Sequence, residues 1–142
     1  MPTPEHAAQE LFLLNQPGLR AVFFHGPTML PFLEDGDRLV IRAVPWAEIR
    51  IGDIVTYRLA GKFPTCRVAY RSESELILKA DNWPSFFVTV RPEDIVGRVV
   101  ELERHGRVMS SSDWRWKIQT ARWFVRDRYR RWLASRNSSR AT

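Results

Sequence analysis

The chain has 142 residues, an apolar fraction of 44% and a formal net charge of +6, which suits one small domain with its own core and short appendages. Its single cysteine excludes an internal disulfide and is compatible with a reducing compartment. No segment has the roughly 18 consecutive apolar residues of a membrane span, and no signal-peptide pattern opens the chain. We therefore expect a cytoplasmic protein that could be peripheral to the membrane.

The N-terminal segment consists of helix formers, and short β-prone segments follow it. Residues 5–15 lie between Pro4 and the Pro17-Gly18 pair, which predicts a short helix within residues 1–18. The later segments alternate or are rich in β-branched and aromatic residues, with turn residues between them. These segments are residues 19–25, 38–43, 54–59, 67–70, 75–79, 86–90, 95–103 and 107–109. Their spacing predicts a mainly β, compact, barrel-type core over residues 19–109.

The C-terminal region has the pattern of a basic amphipathic helix. Ser110 to Asp113 offer N-cap residues, so a helix is predicted within residues 110–135, followed by a disordered tail at 136–142. One apolar stripe recurs at spacings of three and four, and it consists of Trp114, Ile118, Ala121, Val125, Tyr129 and Trp132. We expect this stripe to be more buried than Trp116 and Trp123, which fall among arginines on the opposite side.

A turn that leads into a strand carries the most informative motif. Residues 26–31 read Gly-Pro-Thr-Met-Leu-Pro, and Asp35-Gly36-Asp37 precedes the apolar segment at 38–43. Further motifs follow in order: Gly-Asp-Ile-Val at 52–55, Cys-Arg-Val at 66–68, Ala-Asp-Asn at 80–82 and Ile-Val-Gly-Arg-Val at 95–99. Together they resemble the signal peptidase I and LexA-type serine peptidases, which carry Gly-x-Ser-Met-x-Pro, Gly-Asp-Ile-Val, Lys-Arg-Val or His-Arg-Val, Asp-Asn and Ile-Val-Gly-Arg-Val. The resemblance covers residues 20–105 and implies the β fold of these peptidases, with a peptide-binding cleft.

The resemblance also implies which residues occupy the catalytic positions. In these peptidases a serine hydroxyl attacks the peptide carbonyl, a lysine or histidine takes its proton, and backbone N–H groups hold the oxyanion. Thr28 and Cys66 stand at the two positions of this dyad, and Asp81 stands where some members keep an acidic third group. Gly26 and Met29 belong to the segment for which the resemblance implies oxyanion and peptide binding.

Both catalytic positions have changed residue type. The extra methyl group of Thr28 would crowd a site shaped for serine, and a cysteine thiol is mostly protonated at pH 7. A protonated Cys66 gains nothing from the Thr28 proton, whereas a thiolate would itself be the better nucleophile. We therefore expect a protein with impaired catalysis that still binds an extended peptide. We also expect Thr28, Met29 and Cys66 to lie together.

Two other functions stay open at this stage. An active endopeptidase could use Thr28 or Cys66 as its nucleophile, with His25 or Lys79 as an unexpected base. We favour the simpler roles of a solvent-facing His25, an exposed Lys79 and a small buried Cys66. The alternative is an adaptor that docks through its C-terminal helix. The histidines and the cysteine lack zinc-ligand spacing, and the sequence has no phosphate-binding Gly-rich loop, so we expect no metal and no cofactor.

The adaptor hypothesis rests on the uneven distribution of charge. Residues 114–142 carry nine Arg or Lys and one acid, Asp127, so they hold +8 and the preceding residues hold −2. Such a segment could bind an anionic membrane, a partner protein or nucleic acid, or it could pack on the core with its arginines in solvent. Nucleic acid is the least favoured option, because the LexA-type repressors carry a separate helix-turn-helix that the first twenty or so residues here are too few to form.

Overall fold

A computed structural model describes residues 8–14 and 16–140, in which antiparallel strands form one sheet and an α-helix follows them. The elements are β1 (Ala8–Leu13), β2 (Leu19–Phe24), β3 (Arg38–Arg42), β4 (Ile54–Tyr57), β5 (Thr65–Arg71), β6 (Leu76–Ala80), β7 (Trp83–Val90), β8 (Ile95–Arg104), β9 (Arg107–Ser110) and α1 (Trp114–Arg140). Short 3₁₀ helices occupy Trp46–Glu48 and Pro92–Asp94. The predicted mainly β fold with a basic C-terminal helix is confirmed.

The sheet is organised around β8, its longest strand. The strand order is β1-β2-β3-β8-β4-β5-β6-β7, and β9 also pairs with β8. Over the described residues the sheet does not close into a barrel, so β1 and β7 are its two ends. Gly97 in β8 lies so close to the carbonyl of Arg42 in β3 that a Cβ atom would have no room there. This close approach explains the glycine in the Ile-Val-Gly-Arg-Val motif.

The predicted N-terminal helix is wrong where the structure describes the chain. Residues 8–13 form strand β1, which pairs with β2 so that Leu11 lies opposite Val22 and Phe12 lies opposite Ala21. Leu11 packs against the main core in this position. A helix this short is marginal alone in water, so pairing with an apolar strand overrides the local helix propensity. Residues 1–7 and residue 15, which the predicted helix also included, lie outside the described residues.

The buried side chains form two clusters, one on each face of strands β4 and β5. The first cluster comprises Val22, Phe24, Met29, Phe32, Leu33, Leu39, Ile41, Ile54, Ala80, Val96, Val99, Leu102 and Trp116. The second comprises Ile49, Val55, Tyr57, Cys66, Val68, Leu76, Leu78 and Val90. Because side chains alternate along a strand, Ile54 and its partner Arg67 face the first cluster, whereas Val55 and its partner Cys66 face the second.

Helix α1 packs on the body with the face opposite to the one that the sequence predicted. Trp116 and Trp123 are only 6% and 3% exposed, whereas the predicted stripe, including Trp114 and Val125, is exposed. The expected burial order is therefore wrong. The reason is that the body offers Phe32 and Arg67 as partners for the two tryptophans, with ring centroids 4.9 Å apart for Phe32 and Trp116.

The helix is also longer than predicted. It continues through residues 136–140, which the sequence predicted to be disordered, and residues 141 and 142 lie outside the described residues. Neither this helix nor any other helical stretch in the described ranges has the length and apolar character needed to cross a membrane.

Candidate functional site

Thr28 lies in a turn between β2 and β3 that is fixed against the turn between β6 and β7. The backbone N–H of Asn82 donates to the Thr28 carbonyl oxygen at 2.8 Å, and Asn82 Nδ2 donates to the Pro27 carbonyl oxygen at 3.0 Å. The structure thus brings the predicted Thr28 and Asp81-Asn82 segments together. The Thr28 side chain is 1% exposed, and its hydroxyl has no hydrogen-bond partner among the described residues.

Asp81 is the acceptor in a buried ion pair with Arg67. Arg67 Nε donates to Asp81 Oδ1 at 2.9 Å and Arg67 Nη2 donates to Asp81 Oδ2 at 2.8 Å, while Arg67 Nη1 donates to the Gly52 carbonyl oxygen at 3.0 Å. The side chains of the pair are 1% and 0% exposed. Such bidentate pairing uses both carboxylate oxygens. The candidate third group is therefore engaged by Arg67.

Two aromatic rings enclose the Arg67 guanidinium. Its central carbon lies 5.3 Å from the centre of the Phe32 ring and 5.5 Å from the centre of the Trp123 ring. These distances are within the range of cation–π attraction. Phe32 follows Thr28 in the same turn, and Trp123 comes from α1, so the C-terminal helix forms one wall of the candidate site.

Met29 is also in contact with the Asp81 turn. Its side chain is fully buried in the first cluster, and its sulfur accepts a hydrogen bond from the Asp81 backbone N–H at 3.4 Å. Met29 therefore links the turn that carries Thr28 to the buried ion pair.

Cys66 is fully buried, and its side chain lies in the second cluster with Tyr57 and Val68. It therefore lies on the face of β5 opposite to Arg67. Proximity of the Cys66 thiol and the Thr28 hydroxyl stays a prediction of the resemblance.

The two alternative bases both have acidic partners. Lys79 Nζ lies 3.3 Å from Asp127 Oδ1 of α1, and the Lys79 side chain is 27% exposed. His25 Nδ1 lies 3.6 Å from Asp35 Oδ1, at a site where both side chains are half or more exposed. Lys79 is therefore partly buried rather than exposed as expected, and it helps to attach α1 to the body. His25 lies in a solvent-facing turn, as expected for its simpler role.

The backbone N–H of Gly26 is engaged within the turn rather than directed to a ligand. It donates to Asp35 Oδ1 at 2.8 Å. Gly26 has a φ of +90°, in the left-handed region that favours glycine. Because this N–H is occupied, Gly26 shapes the turn, and its role as an oxyanion donor stays a prediction that requires the Asp35 bond to open.

Asp37 and Arg104 clamp the far end of the same turn. Arg104 donates to both oxygens of Asp37, at 2.8 and 2.6 Å, and to the Phe32 carbonyl oxygen at 3.0 Å. The hydrogen bond to Asp37 raises the pKa of the Arg104 guanidinium above its ordinary value, although burial acts in the opposite direction. This clamp fixes the segment from Thr28 to Phe32 from its C-terminal side.

Sequence reasoning missed Arg67 and Arg104 as site residues. The motifs contained a signal for each of them. Arg67 stands directly beside Cys66, and Asp37, which is the partner of Arg104, closes the Asp-Gly-Asp turn. An arginine is almost never fully buried unless it is paired, so the sequence favours solvent for both. The Asp81 carboxylate reverses that expectation for Arg67, whereas Arg104, paired with Asp37, stays 28% exposed.

The described residues contain no group of three or more His, Cys, Asp and Glu side chains arranged to hold a metal ion.

Comparison with known proteins identifies a family but no individual relative. No curated protein matches the chain. The model of the Peptidase S24-like family matches residues 5–100, a range that contains Thr28, Cys66 and the Arg67–Asp81 pair and confirms the resemblance to LexA-type and signal-peptidase-like serine peptidases. Because the match covers well over half of the chain, the chain belongs to the Peptidase S24-like family.

Proposed function

We propose that this protein binds an extended peptide beside Thr28 and cleaves it slowly or not at all. Membership of a peptidase family supports a peptide as the ligand. The observation that carries the loss of catalysis is the Thr28 hydroxyl, which is buried and unpaired among the described residues. A hydroxyl becomes a nucleophile only when a base lies within reach of its proton.

Asp81, Lys79 and Cys66 are engaged elsewhere or are of an unsuitable type to act as the base, and His25 lies beside Asp35 in a solvent-facing turn. Asp81 gives both of its oxygens to Arg67, and Lys79 pairs with Asp127 of α1. Cys66 is fully buried in the second cluster, on the face of β5 opposite to Arg67. A well-placed base typically contributes about 10²–10⁴-fold to the rate, so its loss would leave binding as the main activity.

The edge of β7 that pairs with no other described strand is the best place for the peptide. β7 ends the strand order of the sheet and begins at Trp83, directly after the Asn82 that bonds the Thr28 segment. An unpaired edge accepts an incoming strand through backbone hydrogen bonds, while alternate side chains supply specificity. Phe87 is 65% exposed on this strand and could contact a peptide side chain. A peptide paired with β7 would extend towards Thr28.

Cleavage is tested by incubating the protein with a mixture of unstructured peptides and following the products by mass spectrometry. We expect the wild-type rate to equal that of Thr28→Ala. Thr28→Ser combined with Cys66→Lys should gain activity or self-cleavage, provided that circular dichroism shows the fold intact. Robust wild-type cleavage that Thr28→Ala abolishes would reject impaired catalysis and favour the active endopeptidase.

Binding is tested separately by fluorescence anisotropy with labelled peptides of about ten residues, the length that one added strand can use. Phe87→Asp should weaken binding, because it places a charge in the apolar contact at the β7 edge. Tyr70→Asp, at a 56% exposed position on β5, is the matched control. Equal binding by the two variants would exclude the β7 edge as the peptide site.

A further inference from the structure

We propose that the outer face of α1 docks on anionic lipid membranes. The outer face comprises Trp114, Ile118, Ala121, Val125, Tyr129 and Trp132, all exposed. Trp114 and Val125 are 66% and 69% exposed, so large apolar side chains stand in water. Apolar residues of this size and number on one face mark an interaction surface.

Basic residues flank the outer face on both sides. With about 100° between successive helix residues, Arg115 and Arg122 fall on one flank and Lys117 and Arg128 fall on the other. All four are exposed. The acid of this helix, Asp127, is 6% exposed, faces the body and pairs with Lys79 and Arg131. The outer face therefore presents apolar rings between two rows of positive charge.

This combination fits a lipid surface better than a protein or nucleic acid. The stripe runs about 27 Å along the helix axis from Trp114 to Trp132, and a membrane interface offers a flat apolar layer of that extent beneath negative headgroups. Indole and phenol rings prefer that boundary, because the ring is buried while its polar group stays wet. Nucleic acid would match the charge but would leave the central apolar stripe exposed.

Docking by this face leaves the fold intact. The inner face of α1 is fixed by Trp116 on Phe32, Trp123 over Arg67 and the Lys79–Asp127 pair. Residues 128–138 are exposed all round the helix. The outer face can therefore enter a membrane interface while the inner face stays on the body.

The test is co-sedimentation of the full chain with vesicles of mixed phosphatidylglycerol and phosphatidylcholine, compared with phosphatidylcholine alone. We expect binding only to the anionic vesicles, weakened by added salt. Val125→Asp, and separately Arg122→Glu with Arg128→Glu, should each weaken binding about tenfold or more.

Body variants that make the same charge changes serve as controls. Tyr70→Asp matches Val125→Asp, and Arg42→Glu with Arg58→Glu matches the paired arginine variant, because all three control positions are exposed on the body. These variants should bind nearly as well as wild type. Absence of binding to anionic vesicles at low salt, or equal losses in helix and body variants, would overturn the proposal. So would a wild-type dimer that ignores vesicles and that Val125→Asp dissociates, because the face would then join two copies of the chain.

Discussion

Arg67 is the largest of the fully buried side chains, and its environment explains how a cation can lie there. Asp81 neutralises it, the Gly52 carbonyl oxygen accepts a third hydrogen bond from it, and the rings of Phe32 and Trp123 cover its faces. A buried pair of this kind stabilises little relative to apolar residues, but loss of one partner leaves an uncompensated buried charge.

Arg67→Ala should therefore lower the free energy of unfolding by about 3–5 kcal/mol, because Asp81 would be left charged in the interior. Urea denaturation measures this change. Arg38→Ala is the matched control, since its pair with Glu103 spans 3.5 Å with side chains 35% and 40% exposed, and exposed pairs contribute about 0–1 kcal/mol. Similar losses in the two variants would contradict a buried role for Arg67.

Single residues of the site could be predicted from the sequence only in part. The motifs located Thr28, Met29 and Asp81, and these segments do meet in the structure. The partner of Asp81 could not be predicted, because pairing of a carboxylate across the fold depends on which face of β5 turns towards it. Strand alternation directs Arg67 to Asp81 and Cys66 to the other face.

At the scale of elements, α1 shows why an amphipathic pattern leaves its orientation undetermined. The helix carries apolar residues on two faces, and the more regular stripe is the exposed one. Hydrophobic spacing predicts that a face is apolar but not which surface covers it. Here Trp116 packs on Phe32 and Trp123 packs on Arg67, so this face of the helix is the buried one. The helix sequence alone does not predict these partners.

The two faces should differ sharply in their effect on stability. Trp123→Ala should cost about 3–5 kcal/mol, because it opens a cavity over Arg67. Trp132→Ala, at a 52% exposed position on the outer face, should stay within about 0.5 kcal/mol of wild type. Thermal and urea unfolding of both variants would measure these losses of stability. A larger loss for Trp132→Ala than for Trp123→Ala would support the burial pattern predicted from the sequence instead.

Strand β1 is the second element whose type depends on its surroundings. Its residues favour a helix locally, yet its pairing with β2 places Leu11 on the core and Phe12 against Phe23, with ring centroids 6.0 Å apart. The other strands carry alternation or β-branched residues of their own, so their positions could be predicted within a few residues. Strand β1 lacks that signal, and it is a strand because it pairs with β2.

At the scale of the whole molecule, α1 is part of the folded body rather than an appended tail. Trp116 belongs to the first cluster, and Trp123 covers the buried ion pair. The sequence left open whether this helix packs on the core or binds a membrane or a partner. Contacts between distant parts of the chain determine its packing, and the local sequence pattern carries no information about them.

Two truncations should separate the packed half of α1 from the unpacked half. A chain that ends at residue 127 keeps Trp116, Trp123 and Asp127, so its free energy of unfolding should fall by only about 1 kcal/mol. A chain that ends at residue 112 exposes the first cluster and Arg67, and it should unfold or melt far lower. Differential scanning calorimetry would compare them. Equal melting temperatures would contradict an integral helix.

Because the two faces of α1 are opposed, the helix also sets the distance between the candidate site and a membrane that the protein binds. A helix with its side chains is about 10–12 Å across, and Trp123 over Arg67 lies on the side away from Trp132. If the outer face rests on a bilayer, the Arg67–Asp81 pair is held about one helix diameter above the headgroups. An extended peptide rises about 3.3 Å per residue. An extended peptide that emerges from the lipid surface would therefore need only about four residues to reach the candidate site. The distance of a peptide from the membrane, as well as its side chains, would then decide whether the protein binds it.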